Sequence, residues 1–131
     1  MKTVLIADDE PNIVTALEYL MESSGYRVLI ACNGEEALRQ VAAHLPDLVL
    51  LDVMMPVISG YQVCERMRER PEWRHIKIVM LTAKGRDVEV AKGLSAGADL
   101  YVTKPFSTRD LLSKVRGLIQ GQIEIQSRQG E

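Results

Sequence analysis

The sequence predicts an α/β protein built on one open, doubly wound parallel sheet of five strands, with a helix after each strand. Short apolar runs rich in Val, Ile and Leu alternate with stretches in which apolar residues recur at helical spacing. The runs show little polar and apolar alternation, which is typical of parallel strands covered by helices on both faces. Because this strand and helix alternation continues along the chain, the connections are expected to be right-handed crossovers.

Five apolar runs are the candidate strands. In chain order they are Thr3–Ala7, Arg27–Ala31, Leu48–Leu51, Ile76–Leu81 and Leu100–Thr103. Runs of this length are typical of buried strands rather than of helices.

Five further stretches carry apolar residues on one helical face. These faces lie at Ile13–Met21, Ala37–Ala42, Tyr61–Met67, Val88–Leu94 and Leu111–Ile119. Pro11 suits the first turn of the first helix. Ser107 and Asp110 have capping-box spacing, which predicts the start of the last helix.

The composition indicates a single domain. A chain of 131 residues with 47% hydrophobic content can form its own core. We expect this domain at residues 1–120, followed by a polar tail or linker stub at 121–131. The formal net charge of −2 argues against direct binding of nucleic acid or of an anionic membrane. The first apolar run is too short for a signal peptide or a membrane span, which predicts a cytoplasmic location.

The cysteines, histidines and tryptophan do not indicate a site of their own. Cys32 and Cys64 lack a second Cys or a His at metal-ligand spacing, so both are predicted to be small buried hydrophobes in a reducing compartment. His44 and His75 are expected at the surface, and Trp73 is expected in a loop, pinned to the domain surface.

Polar residues directly follow four of the predicted strands. Asp8 and Asp9 follow the first, Asp52 the third, Thr82 the fourth and Lys104 the fifth. In open α/β sheets ligands bind beyond the carboxyl ends of the strands, so these residues are expected to lie together. Three neighbouring carboxylates repel one another, and a divalent cation that prefers oxygen ligands relieves this repulsion. We therefore predict Mg²⁺, or Mn²⁺ in its place.

This set of residues suits phosphoryl transfer onto a carboxylate. Asp52 would attack in line, Thr82 would donate a hydrogen bond to one transferring oxygen, and Lys104 would pair with another. Taken singly, Asp8 and Asp9 could instead be acids favoured at a helix N-terminus. Thr82 alone could be a strand-end cap, and Lys104 alone a solvated lysine.

The same residues resemble the receiver domains of response regulators in two-component (phosphorelay) signalling. The resemblance rests on Ile6–Glu10, Leu51–Pro56, Leu81–Ala83 and Gly97–Phe106, and it extends from Met1 to about Ile119. It implies a CheY-like, flavodoxin-like (βα)5 fold with strand order 2-1-3-4-5. It also implies a signalling phosphoprotein, not an enzyme for outside substrates, that is phosphorylated by a sensor histidine kinase or a histidine phosphotransfer protein.

The resemblance implies a role for each residue of the acidic cluster. Asp52 would be the phosphoacceptor, Asp9 a direct metal ligand, and Asp8 a ligand that acts mostly through metal-bound water. Met54 would offer its backbone carbonyl to the metal. Met54 and Lys84 occupy positions that affect how fast the phosphoryl group is lost, although both could equally be rim and surface residues.

The resemblance also implies a switch. Thr82 and Tyr101 match a pair in which the hydroxyl turns toward the phosphoryl group and the aromatic ring moves inward, remodelling the surface of the fourth helix, fifth strand and fifth helix. For Tyr101 the alternative is half-buried packing. Lys104–Pro105 matches a peptide bond that is usually cis in the family.

Charged residues near this surface suggest a partner. Four of them resemble positions through which one subfamily of receivers pairs, namely Lys92, Asp99, Asp110 and Lys114. Leu100 departs from that pattern, since the subfamily often has an acid there. We predict only a weak phosphorylation-dependent homodimer.

Three other functions fit the sequence less well. A flavodoxin-like electron carrier would need a hydroxyl-rich phosphate loop where this chain has Asp8 and Asp9. A phosphatase or phosphotransferase with an aspartyl intermediate would need a second acid two residues after Asp52, where Met54 stands. A phosphate-independent interaction module would not need the complete set of acids, threonine and lysine.

Overall fold

The computed structural model describes residues 1–83 and 87–121. Over these residues the strands form a single parallel sheet with the order β2-β1-β3-β4-β5. The strands are β1 (Thr3–Ala7), β2 (Arg27–Ala31), β3 (Leu48–Asp52), β4 (Lys77–Thr82) and β5 (Leu100–Thr103). The predicted fold class and strand order are therefore confirmed.

Helices follow every strand of this sheet. They are α1 (Pro11–Ser23), α2 (Gly34–His44), α3 (Gly60–Glu69), α4 (Asp87–Ser95) and α5 (Thr108–Gln120), with a short 3₁₀ helix at Pro71–Trp73. None of the described helices combines the length and the apolar character that crossing a bilayer requires.

Two apolar clusters cover the two faces of the sheet. Leu5 and Ala7 of β1 point toward the cluster that includes α2 and α3, whereas Val4 and Ile6 point toward the cluster that includes α1 and α5. Successive strand residues face opposite sides, so a strand buried on both sides must be apolar at nearly every position. This explains why the strand runs lack alternation.

Two strands end one residue later than predicted, with a consequence for function. β3 extends to Asp52 and β4 to Thr82, so both polar residues are the last residues of buried strands. At the start of the helices that follow, Ser59 and Gln62 form a reciprocal capping box on α3 that the sequence analysis did not anticipate. Ser107 caps α5 by accepting a hydrogen bond from the Asp110 amide, at the predicted position.

Trp73 is packed more deeply than predicted. It closes the 3₁₀ helix, it is 8% exposed, and it belongs to the apolar cluster on the α2 and α3 face. The Arg70 guanidinium lies over its ring, 4.7 Å from the centroid. Trp73 is therefore part of the hydrophobic core on this face and not a loop residue that only contacts the domain surface.

The prediction for Cys32 is wrong, because its side chain is exposed. β2 is an edge strand, and Cys32 lies just past its end. Cys64 is buried, and His44 and His75 are exposed, as predicted.

Some predictions fall on parts of the chain that lie outside the described residues. Lys84 is one of these, and the tail at 121–131 is another, apart from Gly121. Gly121 ends α5 with φ 74°, a left-handed conformation that glycine adopts readily.

Candidate functional site

The parallel strands bring five sequence-predicted residues to one edge of the sheet. Asp8 and Asp9 follow β1, Asp52 ends the adjacent strand β3, Thr82 ends β4, and Lys104 follows β5. The alternating connection of strands and helices places all of these carboxyl ends on the same side.

The three carboxylates form a compact group. Asp8, Asp9 and Asp52 each offer an oxygen, and these oxygens lie within 4.8 Å of one another. Asp8 and Asp52 are only 1% and 4% exposed, while Asp9 is open to solvent. Oxygens about 2 Å from a shared Mg²⁺ ion lie at most about 4 Å apart, so small side-chain movements would bring these oxygens to coordination distance. The donor set consists of hard oxygens and therefore fits Mg²⁺ or Mn²⁺ rather than a soft metal.

The environment of Asp52 makes its carboxylate harder to ionise than an ordinary aspartate. Burial and the charge of Asp8 raise the pKa of Asp52 to about 6 from the ordinary 3.8, although Lys104 and the backbone hydrogen bond from Met54 lower it. A bound cation would favour the charged carboxylate and oppose the effect of burial. The site is therefore suited to a ligand that carries positive charge.

Lys104 is a cation already inside this acidic group. Its Nζ lies 3.2 Å from Asp8 Oδ2 and 3.6 Å from Asp52 Oδ1, and its side chain is 13% exposed. Burial lowers the pKa of Lys104, but attraction by Asp52 and Asp8 outweighs burial and raises this pKa overall. The ammonium is therefore charged at neutral pH. The Lys104–Pro105 peptide bond is cis.

Backbone hydrogen bonds hold these side chains in place. Asp8 Oδ1 accepts from the Glu10 amide at 2.9 Å, and the Asp8 amide donates to the Ala31 carbonyl at 3.1 Å. The Lys104 amide donates to the Thr82 carbonyl at 2.6 Å, which ties the end of β5 to the end of β4.

Two residues that sequence reasoning did not assign to the site also contribute. Glu10 Oε1 lies 3.6 Å from Lys104 Nζ. The sequence feature that could have indicated this role is the run of three acidic residues after β1, of which Glu10 is the last. Gly60 begins α3 so close to β3 that an added Cβ would collide with the Asp52 carbonyl oxygen. Any larger residue at position 60 would therefore move either α3 or the backbone of Asp52.

The loop after β3 forms the exposed rim of the site. The Met54 side chain is 63% exposed, and its backbone amide is the group that hydrogen-bonds to Asp52. Val57 is 73% exposed and has φ 72°, a left-handed conformation that β-branched residues rarely adopt. The loop therefore holds backbone strain beside the acidic group.

Thr82 and Tyr101 both lie in the interior. Thr82 is 1% exposed at the end of β4, and Tyr101 is 8% exposed in β5, beside Met80 in the sheet register. The Tyr101 hydroxyl lies 3.5 Å from the hydroxyl of Tyr61, at the start of α3. Tyr101 is thus buried between β5 and the helices rather than half-buried at the surface.

The placement of Asp99 on the α4-β5-α5 surface is wrong. Asp99 is 7% exposed, its Oδ2 lies 3.1 Å from an Arg68 Nη, and it accepts a hydrogen bond from the Ile78 amide at 2.8 Å. These bonds join α3 to the start of β4. The Asp99 carboxylate therefore stabilises the interior of the domain and is not available for pairing at the surface. The other charges of the predicted pairing set, Lys92, Asp110 and Lys114, remain solvent-accessible.

Comparison with known proteins gives one family. Residues 4–116 match the family model described as "Response regulator receiver domain". Among solved structures, the chemotaxis response regulator CheY4 of Vibrio cholerae has TM-score 0.85 and 29% identity, over 90% of this chain and 98% of that one.

Two curated transcriptional regulators are similar in sequence. The chain is 44% identical over 119 residues to the alkaline phosphatase synthesis regulator PhoP of Bacillus subtilis, which is 91% of this chain and 49% of PhoP. It is 40% identical over 117 residues to the phosphate regulon regulator PhoB of Rhizobium meliloti, which is 89% of this chain and 52% of PhoB. The chain therefore spans about half the length of these relatives.

Proposed function

The chain belongs to the response regulator receiver domain family, and we propose that it works as a switch operated by phosphorylation of Asp52. The observation that carries this proposal is the group of three carboxylate oxygens within 4.8 Å, with Lys104 Nζ only 3.6 Å from Asp52 Oδ1. An acceptor, a cation site and a fixed positive charge are the parts that phosphoryl transfer needs.

We assign the cation site to Asp8, Asp9 and Asp52, with the Met54 backbone carbonyl as a further ligand. Asp9 suits direct coordination because it is exposed, whereas Asp8 is already held by the Glu10 amide and by Lys104. Asp8 would then act mostly through water on the metal. When bound, Mg²⁺ or Mn²⁺ would offset the charge on the transferring oxygens.

The donor would be a phosphohistidine of a sensor histidine kinase or of a phosphotransfer protein. An Asp52 oxygen attacks the phosphorus atom, a P–O bond forms, and the P–N bond breaks with its electron pair passing to the imidazole. Asp52 must be ionised to attack, and a pKa of about 6 leaves most of it ionised at neutral pH. Lys104 would pair with one phosphoryl oxygen and hold the group in line.

Phosphorylation would act as a population shift. The new oxygens would accept a hydrogen bond from Thr82 and compete with Asp8 and Glu10 for Lys104. The arrangement in which the Thr82 hydroxyl turns toward the phosphoryl group and the Tyr101 ring stays inward would be favoured, and the α4-β5-α5 surface would change with it.

That surface would then bind an output partner or a second copy of the domain. The accessible charges for a homodimer are Lys92, Asp110 and Lys114, and the loss of Asp99 from this set supports weak pairing at most. With a net charge of −2, direct nucleic-acid binding by this domain is not expected. We also propose a cytoplasmic location, which the two free cysteines support.

The test is incubation with acetyl phosphate and Mg²⁺, followed by intact mass measurement. Wild type should gain one phosphoryl group, Asp52→Asn should gain none, and the control Asp110→Asn, an exposed acid on α5, should behave like wild type. The proposal fails if wild type gains no mass or if Asp52→Asn gains as much as wild type.

A further inference from the structure

We propose that Tyr61 and Gly93 are positioning residues that hold the Tyr101 ring inward before phosphorylation, and that they thereby bias the domain toward its active arrangement. This inference rests on the proposed function, because it assumes that Tyr101 belongs to the switch.

Gly93 provides the space that the ring occupies. A Cβ built on Gly93 would lie 2.6 Å from Tyr101 Cδ2 and 2.8 Å from Cε2, and 3.0 Å from the Met80 sulfur. Carbon atoms without a bond between them do not approach so closely, so a side chain at position 93 would displace the ring. Tyr101 therefore packs directly on the backbone of α4.

The choice of glycine runs against the preference of the helix. Gly93 lies inside α4, where glycine is less favourable than alanine. The close approach of the Tyr101 ring is a physical reason for glycine at this position. Gly93→Ala should consequently favour the helical conformation of α4 locally while displacing the Tyr101 ring.

Tyr61 holds the other end of the ring. The hydroxyl oxygens of Tyr61 and Tyr101 lie 3.5 Å apart in the interior, and the Lys92 ammonium covers the Tyr61 ring at 4.6 Å from its centroid. Tyr61 is also the residue after Gly60, which packs on the carbonyl of Asp52. The contact with Tyr101 is thus joined through the first turn of α3 to the backbone of the acceptor residue.

The first experiment measures whether the ring is held. Tetranitromethane nitrates accessible tyrosines, and mass spectrometry of peptides gives the ratio of nitration at Tyr101 to that at Tyr19, which is 75% exposed and serves as internal reference. Without metal or phosphoryl donor, the ratio should be low in wild type and rise about fivefold or more in Gly93→Ala. Tyr61→Phe should raise it less, and the exposed α5 control Ser113→Ala should not change it.

A wild-type ratio in Gly93→Ala would overturn the proposal. If Gly93→Ala does not fold, as judged by circular dichroism, Tyr61→Phe decides, and an unchanged ratio in that variant overturns the proposal as well.

The second experiment separates this inference from the proposed function. Beryllofluoride with Mg²⁺ mimics the phosphoryl group, and coupling between sites is reciprocal, so Gly93→Ala should weaken beryllofluoride binding about fivefold or more. Equal affinity in Gly93→Ala and wild type would overturn the bias. Failure of wild type to bind beryllofluoride would overturn the proposed function, and the nitration ratio would still decide whether Tyr61 and Gly93 hold the ring.

Discussion

Lys104 and Asp52 come from different strand ends, yet Lys104 Nζ lies 3.6 Å from Asp52 Oδ1, with both side chains almost fully buried. The lysine also lies 3.2 Å from Asp8, so two buried carboxylates share a single ammonium as their counter-charge. Removing one partner of a buried charged group leaves the others without compensation, which destabilises a fold far more than losing an exposed pair.

Lys104→Met should therefore destabilise the metal-free protein by about 1–3 kcal/mol, because Asp8 and Asp52 lose their counter-charge. The matched control is Lys114→Met, which removes a pair with the exposed Asp110 and should cost below about 0.5 kcal/mol. Urea unfolding in EDTA gives both values. Equal losses in the two variants would show that Lys104 is not the buried counter-charge described above.

Asp52→Asn should stabilise the metal-free protein at neutral pH. The folded pKa of about 6 lies above the ordinary 3.8, so the folded state binds the proton more tightly. The stability that the protonated Asp52 contributes is therefore fully present below about pH 4 and is lost as the pH rises through about 6. At about pH 7.5, roughly 1.5 units above that pKa, Asp52→Asn should raise the free energy of unfolding by about 1–3 kcal/mol.

Urea unfolding of wild type and Asp52→Asn in EDTA, repeated at acid pH, checks the sign of this stability difference. The advantage of Asp52→Asn should shrink as pH falls toward 4. An advantage that grew on acidification, or none at neutral pH, would contradict the assignment of burial as the cause.

Mg²⁺ should raise the melting temperature of the wild type, because a ligand that binds only the folded state stabilises it. Asp9→Asn and Asp52→Asn should lose most of this shift, while Asp47→Asn should retain it, because Asp47 precedes β3 at the end of the strand opposite to Asp52. The shift should also be smaller at about pH 5 than at about pH 7.5, roughly 1 unit below and roughly 1.5 units above the Asp52 pKa of about 6, because protons compete with the ion for this carboxylate. Thermal unfolding with and without the ion measures this, and a full shift in Asp52→Asn would argue against the site.

The two cysteines should differ sharply in reactivity. Burial raises the pKa of Cys64 to about 12, with Arg68 opposing the shift, while Cys32 is exposed. A thiol reagent such as DTNB should therefore modify Cys32 rapidly and Cys64 only on unfolding. Cys32→Ser should abolish the fast reaction, and Cys64→Ser should preserve it.

The raised pKa of Cys64 also predicts that the protein loses stability at high pH. Its folded pKa lies above the ordinary 9, so the unfolded state releases its proton first, and stability should fall as pH rises above about 9. Urea unfolding across this range should show a smaller loss in Cys64→Ser than in wild type, and identical losses would contradict the shift.

The sequence alone was sufficient to predict the sheet and the polar residues that meet at its edge. Apolar runs buried on both faces identified the strands, and alternation with helices made them parallel. The carboxyl ends of parallel strands lie at one edge of the sheet. Residues at or just after strand ends, such as Asp8, Asp52, Thr82 and Lys104, could therefore be placed together without any knowledge of side-chain packing.

Only the tertiary structure decided which side chains the packing uses. Asp99 bonds to Arg68, 31 residues away, and Tyr61 meets Tyr101 across 40 residues. Cys32 is exposed just past the end of the edge strand β2, although the preceding Ala31 is buried. Local periodicity reports the face on which a residue lies, but such contacts depend on how helices seat on the sheet, which no single segment encodes.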